Sequence, residues 1–467
     1  MFKNSKQILI GIVGLLLFME SMDATVLNTS LPQIAKAIHD NPIDLKVALT
    51  SYLLSMGLFI PVSGWLADRF GASRVLKVAL VVFILGSMGC GVSNNLDSLV
   101  IFRIIQGIGG ALMMPIGRLV LLKTLGNQIV TAMPNVAAVG LLGAAIGPLL
   151  GGALTTYISW RWIFYINFPI GLFALWVVAK SFPVIACHKR PFNWLSFLLF
   201  CGGLALLLTG LDIIVDPHIP HQATITIFIA ALVLLSLYAW QAKHAKYPLL
   251  SRRPFKDKTF RLSFIASALY RLTSGAYPFL FPLMIQAGYG YSAMHAGLLM
   301  VPLIIGMIVV KIFVKPLFKR VSLKTLACVN LGLLIIAAFQ FYWLATQYSL
   351  IAFIVIGFCF GFLNSMQFSI VNAMSYTHLD AQSHTDGTSI YSTMIQVASS
   401  FAVAVAGVYL TLVIGVDHLQ QHVPLWAFRS VFIFEACLMA LSFLVLWRLD
   451  REQPVLAKKL DEGGIPS

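Results

Sequence analysis

Charge is scarce in this chain. Only 10% of its 467 residues are Asp, Glu, Lys or Arg, while 59% are hydrophobic, which excludes an ordinary soluble globular domain. Cysteine is scarce as well. The six residues, at 90, 187, 201, 328, 359 and 437, form no close pair, so neither a disulfide framework nor a zinc-ligand spacing is expected. The chain has no His-Glu-x-x-His helix and no Gly-x-Ser-x-Gly elbow, which removes the common intramembrane hydrolase signatures. An enzyme is not expected, and no cofactor is implied. His218 and His221 form a loop pair, but two ligands are too few for a metal site.

Long apolar runs are abundant. Fourteen segments of about 20 residues, enough to cross a bilayer core, recur from residues 8–31 to 427–447, the ninth at 260–286. They do not alternate with a period of two, so they are helices and not barrel strands. The first run follows Lys3 and Lys6 and exceeds the h-region of a signal peptide, which predicts an uncleaved helix. An even count puts both termini on one side of the membrane. With the N-terminus inside, 26 of the 32 Lys and Arg residues lie in or beside cytoplasmic segments, as the positive-inside rule requires. The net charge of +15 is therefore a topology signal, and no nucleic-acid partner is expected.

The basic, proline-containing stretch from Lys243 to Arg261 and the shorter Lys180–Pro191 connection divide the chain. The expected units are a six-helix bundle at 1–183, a linker with two additional transmembrane helices at 184–245, a second six-helix bundle at 246–447 and a cytoplasmic tail at 448–467. Two such bundles around a midplane site are the plan of repeat-built secondary transporters. A weak internal repeat supports it: the turn Gly64-Trp-Leu-Ala-Asp-Arg-Phe-Gly-Ala-Ser-Arg-Val-Leu76 has a counterpart at Lys315–Lys324, with Lys319 where the first has Asp68.

Ionisable groups inside apolar helices are costly and mark ion or substrate paths. Glu20 and Asp23 lie three residues apart in the first span, a spacing that places both on one helix face. Arg103, in Arg103-Ile-Ile-Gln-Gly-Ile-Gly-Gly-Ala111, and Arg271 also lie within spans. A buried guanidinium keeps its proton and needs an acceptor or water. Arg103 is thus expected to hold a carboxylate, or else to snorkel from a helix end, and Glu20 could be a structural partner of either arginine. Glu435 in the last span is a further coupling candidate, whereas Asp212 is expected at the membrane interface. Gln396, Ser399, Ser400, Asn364 and Gln367 could line a cavity or bond neighbouring helices.

The Gly64–Leu76 turn, with Gly64, Asp68, Arg69, Gly71 and Arg74, resembles the cytoplasmic gating loop of the major facilitator superfamily. In the fifth span Gly143, Gly147 and Gly151 recur every four residues, with Pro148 and Gly152 beside them. This stripe resembles that superfamily's antiporter motif and permits close helix approach. With Met22-Asp-Ala-Thr-Val-Leu-Asn-Thr-Ser-Leu-Pro-Gln-Ile34 and Trp160-Arg-Trp-Ile-Phe-Tyr-Ile-Asn-Phe-Pro-Ile-Gly171, the chain is similar to the fourteen-helix drug:proton antiporter family, DHA2. Gly110–Arg118 and Arg271 resemble its MdtD-like exporters.

The resemblance implies an all-α integral membrane protein with the major facilitator fold, two six-helix bundles plus two extra transmembrane helices. It further implies a bacterial inner-membrane, multi-pass monomer with both termini cytoplasmic, exporting a small-molecule substrate against protons. Asp23 is the coupling or recognition residue the family implies; Glu20 departs from its pattern, which has a neutral polar residue there. Buried acids favour amphiphilic, multidrug-type cations, and the two arginines favour a dedicated metabolite such as a siderophore or metal-citrate complex. A receptor or scaffold is the reading from another class, and it predicts that neutralising Asp23 changes nothing.

Overall fold

The computed structural model describes residues 5–183, 191–216, 219–245, 247–346, 349–376, 381–415 and 423–448; the expected cytoplasmic tail lies almost wholly outside them, as do Cys187 and His218. Every regular element among these residues is helical. The first half comprises α1 (Ser5–Val26), α2 (Leu31–Ile38), α3 (Lys46–Phe70), α4 (Ala72–Val92), α5 (Leu96–Leu125), α6 (Ile129–Tyr157), α7 (Trp162–Tyr165) and α8 (Asn167–Ser181). Next come α9 (Trp194–Ile213) and α10 (His221–His244). The second half comprises α11 (Lys258–Ser274), α12 (Tyr277–Leu283), α13 (Ala293–Arg320), α14 (Leu323–Leu344), α15 (Leu350–Tyr376), α16 (Ala381–Ile414) and α17 (Leu425–Trp447).

Thirteen of these helical stretches are long and apolar enough to cross a membrane among the described residues, not fourteen. The difference falls at 260–286. There α11 carries Arg261, Tyr270, Arg271, Thr273 and Ser274 and ends at Gly275; α12 starts beside Pro278, and Met284–Gly288 winds as a π-helix. A proline two residues into a helix is well tolerated, but it cannot donate to the preceding turn, so one apolar run becomes three short pieces.

The two halves repeat one packing scheme. In the first, α3 packs on α5, α4 on α5 and α8, and α1 on α5, α6 and α8. In the second, α13 packs on α15, α14 on α15 and α17, and α11 on α15, α16 and α17. The tight turns correspond too: Gly71 alone separates α3 from α4, and Val321 and Ser322 separate α13 from α14. Gly71 has φ +88°, a conformation that only glycine adopts without strain, and its N–H caps the Ala67 carbonyl. Ser322 accepts the Thr325 N–H through its hydroxyl, an N-cap that offsets the missing helical acceptor.

Helix α9 packs against α10, α3 and α16. Helix α10 leans on α9 and exposes Ile225, Ile229, Leu232, Val233, Leu237 and Trp240, a face for lipid chains and not for water. The side of the bundle where α1 begins is called the near side below, and the opposite side the far side.

Candidate functional site

Asp23 and Arg103 meet in the interior of the first half, and both are completely buried. Arg103 Nη1 donates to Asp23 Oδ2 at 2.7 Å and to Gln106 Oε1 at 2.8 Å. The other carboxylate oxygen, Oδ1, accepts from Gln106 Nε2 at 2.8 Å and from Asn167 Nδ2 at 2.9 Å. Arg103 Nε donates to the Ala48 carbonyl at 3.3 Å, and the guanidinium lies 3.9 Å from the Tyr52 ring centre. The cluster thus ties α1, α3, α5 and α8 together. An ion pair out of water is tolerable only when most of its remaining valences are satisfied, and this one meets that condition. Arg103 therefore holds a carboxylate and does not snorkel.

Glu20 is not part of it. Its Oε2 is buried with no hydrogen-bond partner, and no Lys or Arg among the described residues comes within 4.0 Å of its carboxylate. The three-residue spacing placed the two acids on one face, but Asp23 turns into the bundle, while Glu20 falls four residues before Ala24 and eight before Asn28, which line the cavity between the halves. Glu435 is fully buried on α17, and both of its oxygens lack a partner among the described residues. Tyr277 lies within its electrostatic reach, its hydroxyl also unpartnered and its ring packed on Phe341, Phe360 and Phe432.

The cavity has a volume of about 270 Å³ and is walled by both halves, close to the lower end of the ~300–1,000 Å³ typical of small-molecule sites. Thr25, Asn28, Leu49, Leu53 and Pro148 form one wall; Arg271, Ser274, Tyr277, Met300, Asn364, Gln396 and Ser399 form the other. Of the sequence candidates Arg271 lines it, whereas Asp23, Arg103, Glu20 and Glu435 do not. Asn364, Gln396 and Ser399 are wall residues, but Gln367 accepts from Asn330 and the Ser400 hydroxyl donates to the Thr50 carbonyl at 2.8 Å.

Contacts beyond the cavity join the halves on the far side. There a Cβ on Gly152 would lie 2.5 Å from the Ala293 carbonyl oxygen; the Gly57–Val397 contact, 2.8 Å from an ideal Cβ to Cγ2, lies closer to the near side than the wall residue Leu53. Gln286 Nε2 donates to the Thr29 carbonyl at 3.0 Å. The stripe of Gly143, Gly147 and Gly151 lies against α1: a Cβ at these positions would come within 2.4 Å of the Phe18 carbonyl oxygen, 2.1 Å of Thr25 Oγ1 and 2.3 Å of the Val26 carbonyl oxygen. Pro148 leaves its carbonyl to Thr29 Oγ1, which donates at 3.2 Å. Gly64, Asp68, Arg69, Gly71 and Arg74 are gathered at the near-side α3–α4 turn, where Arg69 and Arg74 are exposed.

Asp212 lies at the far-side end of α9, next to the last residue of the helix, with its side chain sheltered there. It is 15% exposed, and its carboxylate is 4.0 Å from Lys46 Nζ, itself only 2% exposed. Lys46 runs along α16, where a Cβ on Gly407 would fall 2.2 Å from its Cδ. Among the described residues no group of His, Cys, Asp and Glu could hold a metal.

The sequence reading missed Gln106 and Asn167 as partners of Asp23, although a neutral amide in an apolar span is itself a signal. It also missed Lys46 as a buried cation.

The model of the Major Facilitator Superfamily matches residues 13–403. A protein of Serratia proteamaculans named "Putative multidrug resistance protein MdtD" is 35% identical over 92% of this chain and 90% of its own length. The "Probable transport protein HsrA" of Haemophilus influenzae is 35% identical over 88% and 89%. Among solved structures, the peptide transporter POT in complex with sulfate shares the fold with TM-score 0.69 at 14% identity, covering 95% of this chain and 94% of its own. The xylose transporter XylE from E. coli does so with TM-score 0.64 at 13% identity over 97% and 99%. The repeated helix packing, the cavity between the halves and the match along most of its length make this chain a member of the Major Facilitator Superfamily, a multi-pass membrane transporter and not an enzyme.

Proposed function

We propose that the chain is a proton-coupled secondary exporter, an antiporter that moves amphiphilic small molecules outward across a bacterial inner membrane as a monomer. In this reading the near side is cytoplasmic, as are both termini. Residues 1–183 and 246–447 are the rocking bundles, and 184–245 carry the two added helices. The broken stretch from α11 through the π-turn is the fourteenth crossing.

One observation carries the coupling: the same stretch of α3 is hydrogen-bonded both to the cluster around the buried acid and to α16 of the other half. Arg103 holds Asp23 and also the Ala48 carbonyl, and two residues along α3 the Thr50 carbonyl accepts from Ser400 of α16. A proton on Asp23 removes the negative partner of a guanidinium that cannot lose its own charge. Arg103 then lets go of α1, and α3 is free to shift where it meets α16. Glu20, beside the cavity stripe of α1, delivers that proton, since an unpaired carboxylate costs far more to bury than to protonate. Glu435 with Tyr277 is a second proton-holding site in the other half. Gly64, Asp68, Arg69, Gly71 and Arg74 latch the near side, and Gly143, Gly147, Pro148, Gly151 and Gly152 let α6 slide on α1. Alternating access between these two closures links proton and substrate.

The test is substrate uptake into inside-out vesicles with an imposed pH gradient. Uptake that collapses with the gradient, and that Asp23→Asn uncouples, supports the reading; uptake unchanged by both overturns it. A second reading, a dedicated exporter of a siderophore or metal-citrate complex, is favoured by one cavity residue, the cation Arg271.

A further inference from the structure

Arg271 is the charged residue of the cavity wall. It comes from the last turn of α11, just before the helix breaks at Gly275, so its side chain is set at the cavity and not inside a bundle. No acid among the described residues comes within 4.0 Å of it, its side chain makes no hydrogen bond there, and Nε is buried without an acceptor. Phe368 lies below the guanidinium, with the ring centre 4.9 Å from Cζ. The contrast with Arg103, whose charge Asp23 neutralises at 2.7 Å, is direct. A guanidinium in a low-dielectric wall attracts a counter-anion strongly and presents a fork suited to carboxylate, sulfonate or phosphate oxygens.

The rest of the wall sets the body of the molecule. Leu49, Leu53, Met300, Tyr277 and Phe279 offer apolar and aromatic surface, and the remaining polar groups, such as Asn364 and Gln396, are neutral. One cation therefore faces a mainly apolar chamber of about 270 Å³, a setting that matches one acidic group on an apolar body.

We propose that the cavity takes lipophilic organic monoanions, an apolar or aromatic body bearing one acidic group that pairs with Arg271. This deepens the export reading by naming the charge of its substrate, and it rests on that reading for the direction of movement.

The test compares two probes of equal ring size, naphthalene-1-sulfonate and the N-methylquinolinium cation, by uptake into inside-out vesicles bearing the full-length chain. The native protein should accumulate the sulfonate in preference to the quinolinium. Loss of a charge-assisted contact lowers affinity by about ten- to a hundredfold, so Arg271→Gln should raise the half-saturating sulfonate concentration by that factor, and Arg271→Lys by less. Gln396→Glu, which adds an acid to the same wall and keeps Arg271, should turn the preference toward the quinolinium and guards against a folding defect in the Arg271 variants. Preferential uptake of the quinolinium by the native protein, or sulfonate uptake indifferent to both Arg271→Gln and Gln396→Glu, overturns the proposal. Uptake that depends on Arg271 but survives collapse of the pH gradient leaves the substrate class standing and removes only the proton coupling.

Discussion

The two halves repeat the same helix packing, but Asp23 of the first and Glu435 of the second, both completely buried, are held in opposite ways. In the first, Asp23 accepts three hydrogen bonds at 2.7 to 2.9 Å and its cation is also bound to a backbone carbonyl. In the second, Glu435 has no partner on either oxygen and Arg271 no acid beside it among the described residues. A carboxylate bound on both oxygens makes a rigid joint whose loss is expensive, whereas unpaired groups are available to protons and ligands. In the proposed reading the first half carries the proton linkage through Asp23 and the second half supplies the cavity's cation, Arg271.

The largest expected effect comes from breaking the Asp23–Arg103 pair. Arg103→Ala leaves Asp23 buried and uncompensated, which typically costs about 3–5 kcal/mol, so the detergent-solubilised protein should lose its cooperative thermal unfolding or melt far lower. Glu435→Leu is the matched change in the other half. With no hydrogen bond to lose, it should leave the melting temperature unchanged or raise it, by up to a few kcal/mol in stability, and a large drop would show that Glu435 has a partner after all.

Packing at the far-side seal is the next contrast. Gly152→Val puts side-chain atoms where the Ala293 carbonyl oxygen stands 2.5 Å from an ideal Cβ, so it should hold the far side apart. A cysteine placed at Thr156, beside Met294, should then react faster with a membrane-impermeant maleimide, while Gly332→Val, where a Cβ meets nothing within 4 Å, should leave labelling unchanged.

The smallest effect concerns the far-side loop. Burial raises the pKa of Asp44, with Asp40 and Asp216 adding to the rise and Lys46 opposing it. The folded form then binds more protons than the unfolded one, so this group's contribution is present below its ordinary range and is lost as pH rises through the folded value. Asp44→Asn should flatten that part of the melting-temperature profile, and a profile unchanged by the substitution would locate the dependence elsewhere.

Much of this was legible in the order of residues. Apolar run length requires membrane helices, because the bilayer core offers backbone groups no other partners. The Gly64–Leu76 turn and the α6 glycine stripe announced a tight reversal and a close helix approach. Charges within apolar runs marked Asp23, Arg103, Arg271 and Glu435 as costly and therefore notable. The pairing itself was not legible: a three-residue spacing suggested Glu20 as companion to Asp23, yet the partners came from α5 and α8, 80 to 144 positions away.

Composition and periodicity alone thus determined that the chain is a bundle of membrane helices with a few charges inside, since transfer energies and backbone hydrogen bonding act locally along each run. Only the tertiary structure decided which charges neutralise each other, which one faces the cavity, and that residues 258–288 break into three pieces. Those outcomes depend on how helices distant in sequence are rotated and packed against one another, and a rotation of one residue, about 100° on a 3.6-residue turn, exchanges a bundle interior for a cavity wall.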